Sequence, residues 1–221
     1  MFKYILFDLD GTLTDAAPGI TNSIKYALGK FGIQEPGEQQ LRKCLGPPLI
    51  TSFSEIFGLS EQNAEKAVEY YREYFKPRGI YENEVYAGIP ELLNKLKAQG
   101  KTLIVATSKP EPFAKTILEH FGLDGYFALI AGSNLDNTRS RKSQVIDYAL
   151  ETLGINDREN AVMVGDREHD IIGAKETGLR SIGVLYGYAA PGELESAGAD
   201  FLANTPQDIY DIINSKRGIS K

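Results

Sequence analysis

In Tyr4–Asp15, YILFDLDGTLTD, a short apolar run leads directly into two acids. We expect the run to form a buried strand, with Asp8 and Asp10 following it one residue apart. Because alternate residues of an extended chain point to the same side, their carboxylates should lie close together and repel at neutral pH. A bound cation would relieve that repulsion, so the stretch predicts a cation site at the end of the first strand.

The composition and charge are typical of a soluble globular protein. The chain has 221 residues, of which 42% are hydrophobic and 24% charged. Its formal net charge of -6 argues against a nucleic acid polymer as the main partner. The single cysteine, Cys44, excludes an internal disulfide and favours a reducing compartment. The first strand leaves no room for a signal peptide, and no apolar run approaches membrane-spanning length, so we expect a cytoplasmic protein with no membrane partner.

Short apolar segments alternate with amphipathic helical segments along most of the chain. This alternation favours a parallel sheet covered by helices, a Rossmann-like α/β fold. The predicted strands are 4–7, 102–106, 127–131, 161–164, 181–185 and 201–203, and the predicted helices between and after them are 88–101, 110–122, 141–154, 168–178 and 205–216.

A helical block interrupts the alternation after the first strand. Residues 18–76 contain apolar positions at helical spacing and no convincing strand, with a break at Gly46-Pro47-Pro48. The simplest organisation is an α/β core domain made of 1–15 and 81–221, with an α-helical cap domain inserted at 16–80.

Polar residues collect where the predicted strands end. The carboxyl ends of parallel strands meet at one edge of a sheet, so these side chains should lie close together. Acids, hydroxyls and cations together suit Mg²⁺ and a phosphate group, because Mg²⁺ prefers oxygen ligands and phosphate accepts hydrogen bonds. A carboxylate can also attack phosphorus while a neighbouring acid protonates the leaving alcohol. The set comprises Asp8, Asp10, Thr107, Ser108, Lys109, the basic stretch Arg139–Lys142, Asp166 and Asp170.

These residues resemble the motifs of the haloacid dehalogenase (HAD) superfamily of phosphohydrolases. DxDGT ends the first strand, Thr107 follows the second, a lysine stands at 142 and GDxxxD spans 165–170. The resemblance covers essentially the whole chain and implies a HAD-type core with a mobile helical cap. Within the superfamily the chain looks like the phosphoglycolate phosphatase-like group. Three segments look still closer to the bacterial 5′-nucleotidase-like branch of that group: GTLTDAAPGI, SNLDNTRSRK and GDREHDIIGAKETGLRSIGVLYGY.

The resemblance implies a role for each matching residue. Asp8 would be the nucleophile, and Asp10 the general acid and base, with its backbone carbonyl on Mg²⁺. Thr107 would bind the transferring phosphoryl group, and Lys142 would steady Asp8 and the phosphoryl charge. The metal site implied is completed by Asp166 and Asp170.

Other residues are implied in substrate binding or depart from the family pattern. Ser108 and Lys109 adjoin the phosphoryl-binding threonine, and Gly46 and Pro47 resemble the cap loop that faces the active site. Arg141 and Lys109 compete with Lys142 for its role. Many relatives carry serine and asparagine where this chain has Arg167 and His169, which puts the nearby substrate surface in doubt.

The predicted function is a Mg²⁺-dependent phosphate-monoester hydrolase acting through an aspartyl-phosphate. The substrate would be a small phosphate ester, either of phosphoglycolate type or a nucleoside 5′-monophosphate. A β-phosphoglucomutase-like mutase shares the same motifs and stays open, as does a non-catalytic phospho-acceptor signalling domain. A dehalogenase is disfavoured because displacing halide from carbon does not require Asp10. Oligomeric state is open.

Overall fold

The structure is a computed structural model that describes residues 1–136 and 138–215. Asn137, within the SNLDNTRSRK segment, and Lys216, the last residue of the final predicted helix, lie outside the described residues. Packing divides the chain into two compact units. One unit comprises Met1–Thr14 and the chain from Val85 onward, and the other comprises Asp15–Glu84.

The first unit is built on a parallel sheet. In chain order the strands are β1 (Tyr4–Phe7), β2 (Thr14–Asp15), β3 (Glu84–Val85), β4 (Thr102–Pro110), β5 (Leu129–Ser133), β6 (Ala161–Gly165), β7 (Arg180–Val184) and β8 (Phe201–Ala203). Among the described residues, six of these strands form the sheet in the order β5-β4-β1-β6-β7-β8, and β2 pairs with β3.

Helices of the first unit alternate with the strands of this sheet, whereas the α-helices before residue 85 belong to the second unit. In chain order the α-helices are α1 (Ala17–Gly29), α2 (Glu38–Lys43), α3 (Leu49–Thr51), α4 (Glu61–Phe75), α5 (Ile89–Ala98), α6 (Glu111–His120), α7 (Lys142–Thr152), α8 (Glu168–Glu176), α9 (Glu193–Ala197) and α10 (Pro206–Asn214). The predicted fold class, a parallel-sheet α/β core with an inserted helical segment, is confirmed.

Strand β1 lies in the middle of the sheet. Tyr4 is opposite Thr102 of β4 on one side and Ala161 of β6 on the other. Its residues Ile5–Phe7 are fully buried, as expected of a parallel strand flanked by strands and covered by helices. The chain therefore leaves the sheet at its centre, immediately before Asp8.

A continuous apolar cluster holds helices α7 and α8 against the sheet. Ile146 of α7 and Ala174 of α8 pack in the same buried cluster as Leu6 of β1 and Ile104 of β4. Each fully buried isoleucine or leucine contributes about 1.5–3 kcal/mol through apolar burial. This packing fixes the first turns of α7 and α8 beside the carboxyl ends of the strands.

The predicted bounds of strands β4 and β5 were wrong, and helix α9 was not predicted. Strand β4 continues to Pro110, because after an irregularity beyond Ala106 the chain pairs again, with Pro110 opposite Ser133. Strand β5 begins at Leu129 rather than Phe127, because a 3-10 turn at Asp124–Tyr126 occupies the chain just before it. The short helix α9 was not predicted, since its five residues are too few for a periodic signal.

The second unit is helical, apart from Asp15 and Glu84 at its two ends, which belong to β2 and β3. A π-helix at Ser52–Ile56 continues α3, and Ser60 caps α4 by accepting a hydrogen bond from the Asn63 backbone. The core of this unit includes Ile24 and Leu28 of α1. Across the described residues, no helix is both long enough and apolar enough to cross a membrane.

Candidate active site

The predicted site residues of the first unit come from three adjacent strands and two helices. Asp8 and Asp10 follow β1, Thr107 lies in β4 and Asp166 follows β6. Since β4, β1 and β6 are neighbours in the sheet, their carboxyl ends bring these side chains to one edge. Lys142 begins α7 and Asp170 lies in the first turn of α8, so both helices contribute as well.

Three carboxylates lie close together, and two of them pair with one buried ammonium group. Oxygen atoms of Asp8, Asp166 and Asp170 all lie within 4.8 Å of one another. Lys142 Nζ is 2.9 Å from Asp8 Oδ1 and 2.8 Å from Asp170 Oδ1, and it also donates a hydrogen bond to the Ala106 carbonyl at 3.0 Å. Burial disfavours the charge on Lys142, but Asp170 and Asp8 outweigh it and raise the pKa of the ammonium group.

A second ion pair lies beside this cluster. Lys109 Nζ is 2.5 Å from Asp10 Oδ2, and the lysine side chain is 7% exposed. Burial raises the pKa of the Asp10 carboxyl above its ordinary value despite the opposing charge of Lys109. The two paired acids of the first motif thus have different cationic partners and different environments.

The acids outnumber the cations. Asp8, Asp10, Asp166 and Asp170 supply four carboxylates, whereas Lys109 and Lys142 supply two ammonium groups. With all six groups ionised, two negative charges remain uncompensated. Burial, followed by the charges of Asp170 and Asp8, raises the pKa of Asp166 well above its ordinary value. The cluster therefore disfavours full ionisation unless another cation is bound.

Hydrogen bonds fix the orientation of Asp166. Its Oδ1 accepts from the Thr12 hydroxyl at 3.3 Å, and its Oδ2 accepts from the Tyr188 backbone N–H at 2.8 Å. Tyr186 and Tyr188 both lie in the loop that follows β7. The Tyr186 hydroxyl donates to the Thr12 carbonyl at 2.9 Å, so this loop also holds the turn after β1.

Two glycines permit the close approach of backbone to Asp166. Gly11 adopts a φ of +81°, and a Cβ at this position would lie 2.1 Å from Asp166 Oδ2. A Cβ on Gly187 would lie 2.3 Å from Asp166 Cβ and 2.4 Å from the Gly11 carbonyl oxygen. Any larger residue at either position would displace the acid.

Thr107 is 2% exposed and lies in the irregular part of β4. Its Oγ1 accepts a hydrogen bond from the Lys109 backbone N–H at 3.2 Å, which leaves its hydroxyl proton for a different acceptor. Ser108, between them, is half-buried.

Lys142, Arg141 and Lys109 are the three candidates for the residue that steadies Asp8 and the phosphoryl charge. In the described part of the chain, Lys142 alone combines near-complete burial with ion pairs to both Asp8 and Asp170. Arg141 is exposed at the N-terminal end of α7 and Lys109 pairs with Asp10. The remaining basic residue of interest, Arg139, lies with its guanidinium 3.7 Å from the ring centre of Tyr148.

The other residues singled out in the sequence lie outside this cluster, although the Arg167 backbone N–H donates a hydrogen bond to Asp170 Oδ2 at 3.0 Å. Gly46 and Pro47 belong to the helical unit, between α2 and α3, where Gly46 is exposed and has a φ of +111°. Arg167 forms an ion pair with Glu193, with 2.7 Å between Nε and Oε1, and His169 is exposed.

The sequence analysis missed the residues that hold the acids in place. These are Thr12, Tyr186, Gly187, Tyr188 and Glu193. Thr12 belongs to the quoted DxDGT motif and could have been found from it. Tyr186, Gly187 and Tyr188 end the quoted segment GDREHDIIGAKETGLRSIGVLYGY and could have been found from it, whereas Glu193 lies in a five-residue helix that gives no periodic signal.

Comparison with known proteins identifies clear relatives. The profile of a family described as haloacid dehalogenase-like hydrolase matches residues 5–184. The chain is 48% identical over 195 residues to a 5′-nucleotidase of Pseudomonas aeruginosa, covering 88% of each chain. It is 30% identical over 213 residues to a phosphoglycolate phosphatase of Aquifex aeolicus, covering 96% of this chain and 97% of the relative.

A solved structure is similar over nearly the whole chain. The crystal structure of a predicted phosphatase from Clostridium acetobutylicum superposes with a TM-score of 0.92 at 51% sequence identity. The superposition covers 96% of this chain and 98% of that one.

Proposed function

Because the chain belongs to the haloacid dehalogenase-like hydrolase family and is a phosphatase, we propose that it hydrolyses small phosphate monoesters with Mg²⁺ through a phosphorylated Asp8. The observation that carries this proposal is the cluster of Asp8, Asp166 and Asp170, whose oxygens lie within 4.8 Å of one another. It combines an acidic pocket for a hard cation with a carboxylate next to a buried lysine.

The residues present fit a magnesium ion. Asp8, Asp166 and Asp170 would hold it, together with the backbone carbonyl of Asp10, since Mg²⁺ favours carboxylate and carbonyl oxygens. The two uncompensated negative charges of the site equal the charge of one such ion. When bound, the ion would neutralise the acids and offset charge on the transferring phosphoryl group.

In the first half of the reaction, an Asp8 carboxylate oxygen attacks phosphorus and the bond from phosphorus to the ester oxygen breaks. Lys142 Nζ, 2.9 Å from Asp8 Oδ1, orients the nucleophile, and the Thr107 hydroxyl donates a hydrogen bond to a phosphoryl oxygen. Asp10 gives its proton to the departing alcohol. The raised pKa of Asp10 suits this step, because the acid must be protonated when the alcohol leaves.

In the second half, Asp10 acts in the opposite direction. As a carboxylate it takes a proton from water, whose oxygen attacks phosphorus and releases Asp8 and inorganic phosphate. Lys109, paired with Asp10 at 2.5 Å, stabilises the carboxylate form that this step requires. One acid therefore serves both proton transfers.

The substrate that we favour is a nucleoside 5′-monophosphate. The support is the relative named 5′-nucleotidase, which is 48% identical over 195 residues. A phosphoglycolate-type ester is the second candidate, supported by the relative named phosphoglycolate phosphatase at 30% identity. The choice depends on what contacts the leaving group, for which Gly46 and Pro47 remain predicted residues.

The test is a phosphate-release screen of the purified protein with nucleoside 5′-monophosphates, sugar phosphates and phosphoglycolate, with Mg²⁺ or excess chelator. We expect release that requires Mg²⁺ and is fastest with a nucleoside 5′-monophosphate. Full activity in chelator would refute the metal assignment. Conversion of a sugar phosphate to its isomer through a bisphosphate would instead identify a mutase.

A further inference from the structure

Glu193, at the start of α9, accepts three hydrogen bonds from two separate segments of the chain. Its Oε1 accepts from Arg167 Nε at 2.7 Å and from the Glu168 backbone N–H at 3.0 Å. Its Oε2 accepts from the Ala190 backbone N–H at 2.9 Å. One carboxylate thereby joins the beginning of α8 to the loop that follows β7.

The first of these segments carries Asp170. The Arg167 backbone N–H donates to Asp170 Oδ2 at 3.0 Å, while the side chain of the same arginine pairs with Glu193. Holding Arg167 and Glu168 therefore holds the turn from which Asp170 reaches into the acidic cluster.

The second segment orients Asp166. The Tyr188 backbone N–H donates to Asp166 Oδ2 at 2.8 Å, and Ala190, two residues further on, is bound to Glu193. Gly187 lies against Asp166 so closely that its backbone cannot shift toward the acid. The position of this loop therefore determines the orientation of Asp166.

The bridge is ionic and largely sheltered from water. The Arg167 and Glu193 side chains are 15% and 13% exposed. Burial opposes the charge on Glu193, but the hydrogen bonds from Arg167, Ala190 and Glu168 outweigh it and lower the pKa of the carboxyl. Hydrogen bonds to a charged acceptor are about twice as strong as hydrogen bonds between neutral groups. Each of the three bonds that Glu193 accepts therefore restrains its donor strongly.

We propose that Glu193 is a positioning residue for the magnesium site. It fixes the position of Asp166 relative to Asp170, acting on Asp166 through the Tyr188 loop and on Asp170 through Arg167. This inference rests on the proposed function, because it assigns Glu193 a role toward the metal. Residues that orient metal ligands in this way typically change metal affinity about 10–100-fold when replaced.

The experiment measures thermal unfolding of the full chain across a Mg²⁺ titration, so that binding is followed without any substrate. A ligand that binds the folded state raises the melting temperature in proportion to ln(1 + [L]/Kd), and the titration therefore reports the apparent Kd. The variants are Glu193→Ala and the equal-sized Glu193→Gln. The matched control is Glu195→Ala, which removes the same charge from an exposed position on α9.

We expect Glu193→Ala to raise the apparent Kd for Mg²⁺ about tenfold or more, Glu193→Gln to raise it less, and Glu195→Ala to leave it unchanged. At saturating Mg²⁺, Glu193→Gln should regain phosphatase activity. A lower melting temperature with an unchanged Kd in both Glu193 variants would overturn the inference and leave only a structural role.

The wild-type titration separates the two proposals. A wild type that does not respond to Mg²⁺ would overturn the metal site and the role of Glu193 together. A wild type that responds, with Glu193 variants that match it, would overturn the role of Glu193 alone. Should Glu193→Ala fail to fold, Glu193→Gln still gives the decisive comparison, because it keeps the volume and one acceptor oxygen.

Discussion

Replacing Asp166 by asparagine should stabilise the metal-free protein while weakening its binding of Mg²⁺. The amide oxygen can still accept from the Tyr188 N–H, and the Thr12 hydroxyl can rotate to accept from the new NH₂ group. The substitution therefore removes the charge and keeps the shape and the hydrogen bonds. What it relieves is repulsion from Asp8 and Asp170.

The size of the effect follows from the geometry. Two like charges at the cluster's limit of 4.8 Å repel by about 3.5 kcal/mol at an effective dielectric constant of about 20. The neighbouring charges are those of Asp8 and Asp170, and the Lys142 ammonium group compensates about one of them. Roughly one such repulsion on Asp166 therefore remains. Relaxation of the structure reduces it to about 1–3 kcal/mol. For a chain of this size each kcal/mol shifts the melting temperature by about 2–4 °C. We therefore expect Asp166→Asn to melt about 2–12 °C higher than wild type in excess chelator at pH 8.

The pH dependence gives a second check on the same reasoning. The folded state raises the pKa of Asp166, so the stability that this group contributes is fully present at low pH and is lost as pH rises through its folded pKa. The asparagine variant has no such loss, and the gap in melting temperature should be larger at pH 8 than at pH 5. Thermal unfolding at both pH values measures it. If the variant melts below wild type at pH 8 without metal, repulsion of Asp166 by Asp8 and Asp170 does not destabilise the metal-free protein, and the reasoning is refuted.

Three further outcomes are expected from the same geometry. Asp8→Asn should abolish turnover and leave the fold intact, and activity within tenfold of wild type, about 1.4 kcal/mol of barrier, would contradict the covalent mechanism. Lys142→Met should lower the free energy of unfolding in chelator by about 3–5 kcal/mol, because it leaves buried carboxylates without their partner, and denaturant unfolding measures this loss. Changing Pro47 and Pro48 together to alanine should alter which phosphate ester is preferred in a substrate panel but not the Mg²⁺ requirement, whereas equal slowing of every substrate would contradict the prediction.

The sequence predicted those parts of the structure that depend on regular patterns. The apolar run before Asp8 identified the central strand, and the acids at strand ends were expected to meet because parallel strands end at one edge. Asp8, Asp166 and Asp170 do lie together, although their chemical roles, like the cap at 16–80, stay predictions.

What the sequence did not predict depends on tertiary contacts made by irregular segments. The strand was ended at Ala106 because polar residues follow it, yet the chain pairs again at Pro110. Lys109 was grouped with the phosphate-binding residues, and its pairing with Asp10 requires two strand ends to be adjacent in space. Tyr188 acts through a backbone N–H in the loop after β7, where residue type carries little information. The Glu193 carboxylate, in the short helix α9, meets its partners only in the folded chain.

The most direct test of the central claim is to trap the phosphorylated enzyme. In Asp10→Asn the group that activates water is gone, whereas a phosphate ester of p-nitrophenol has a leaving group that does not need protonation. The first half of the reaction should therefore proceed and the second should stall. Mixing this variant with p-nitrophenyl phosphate and Mg²⁺, then quenching in acid and mapping the peptides, should give one burst equivalent of nitrophenol and a phosphoryl group on Asp8. Steady turnover without a burst, or a phosphoryl group on any other residue, would contradict the account.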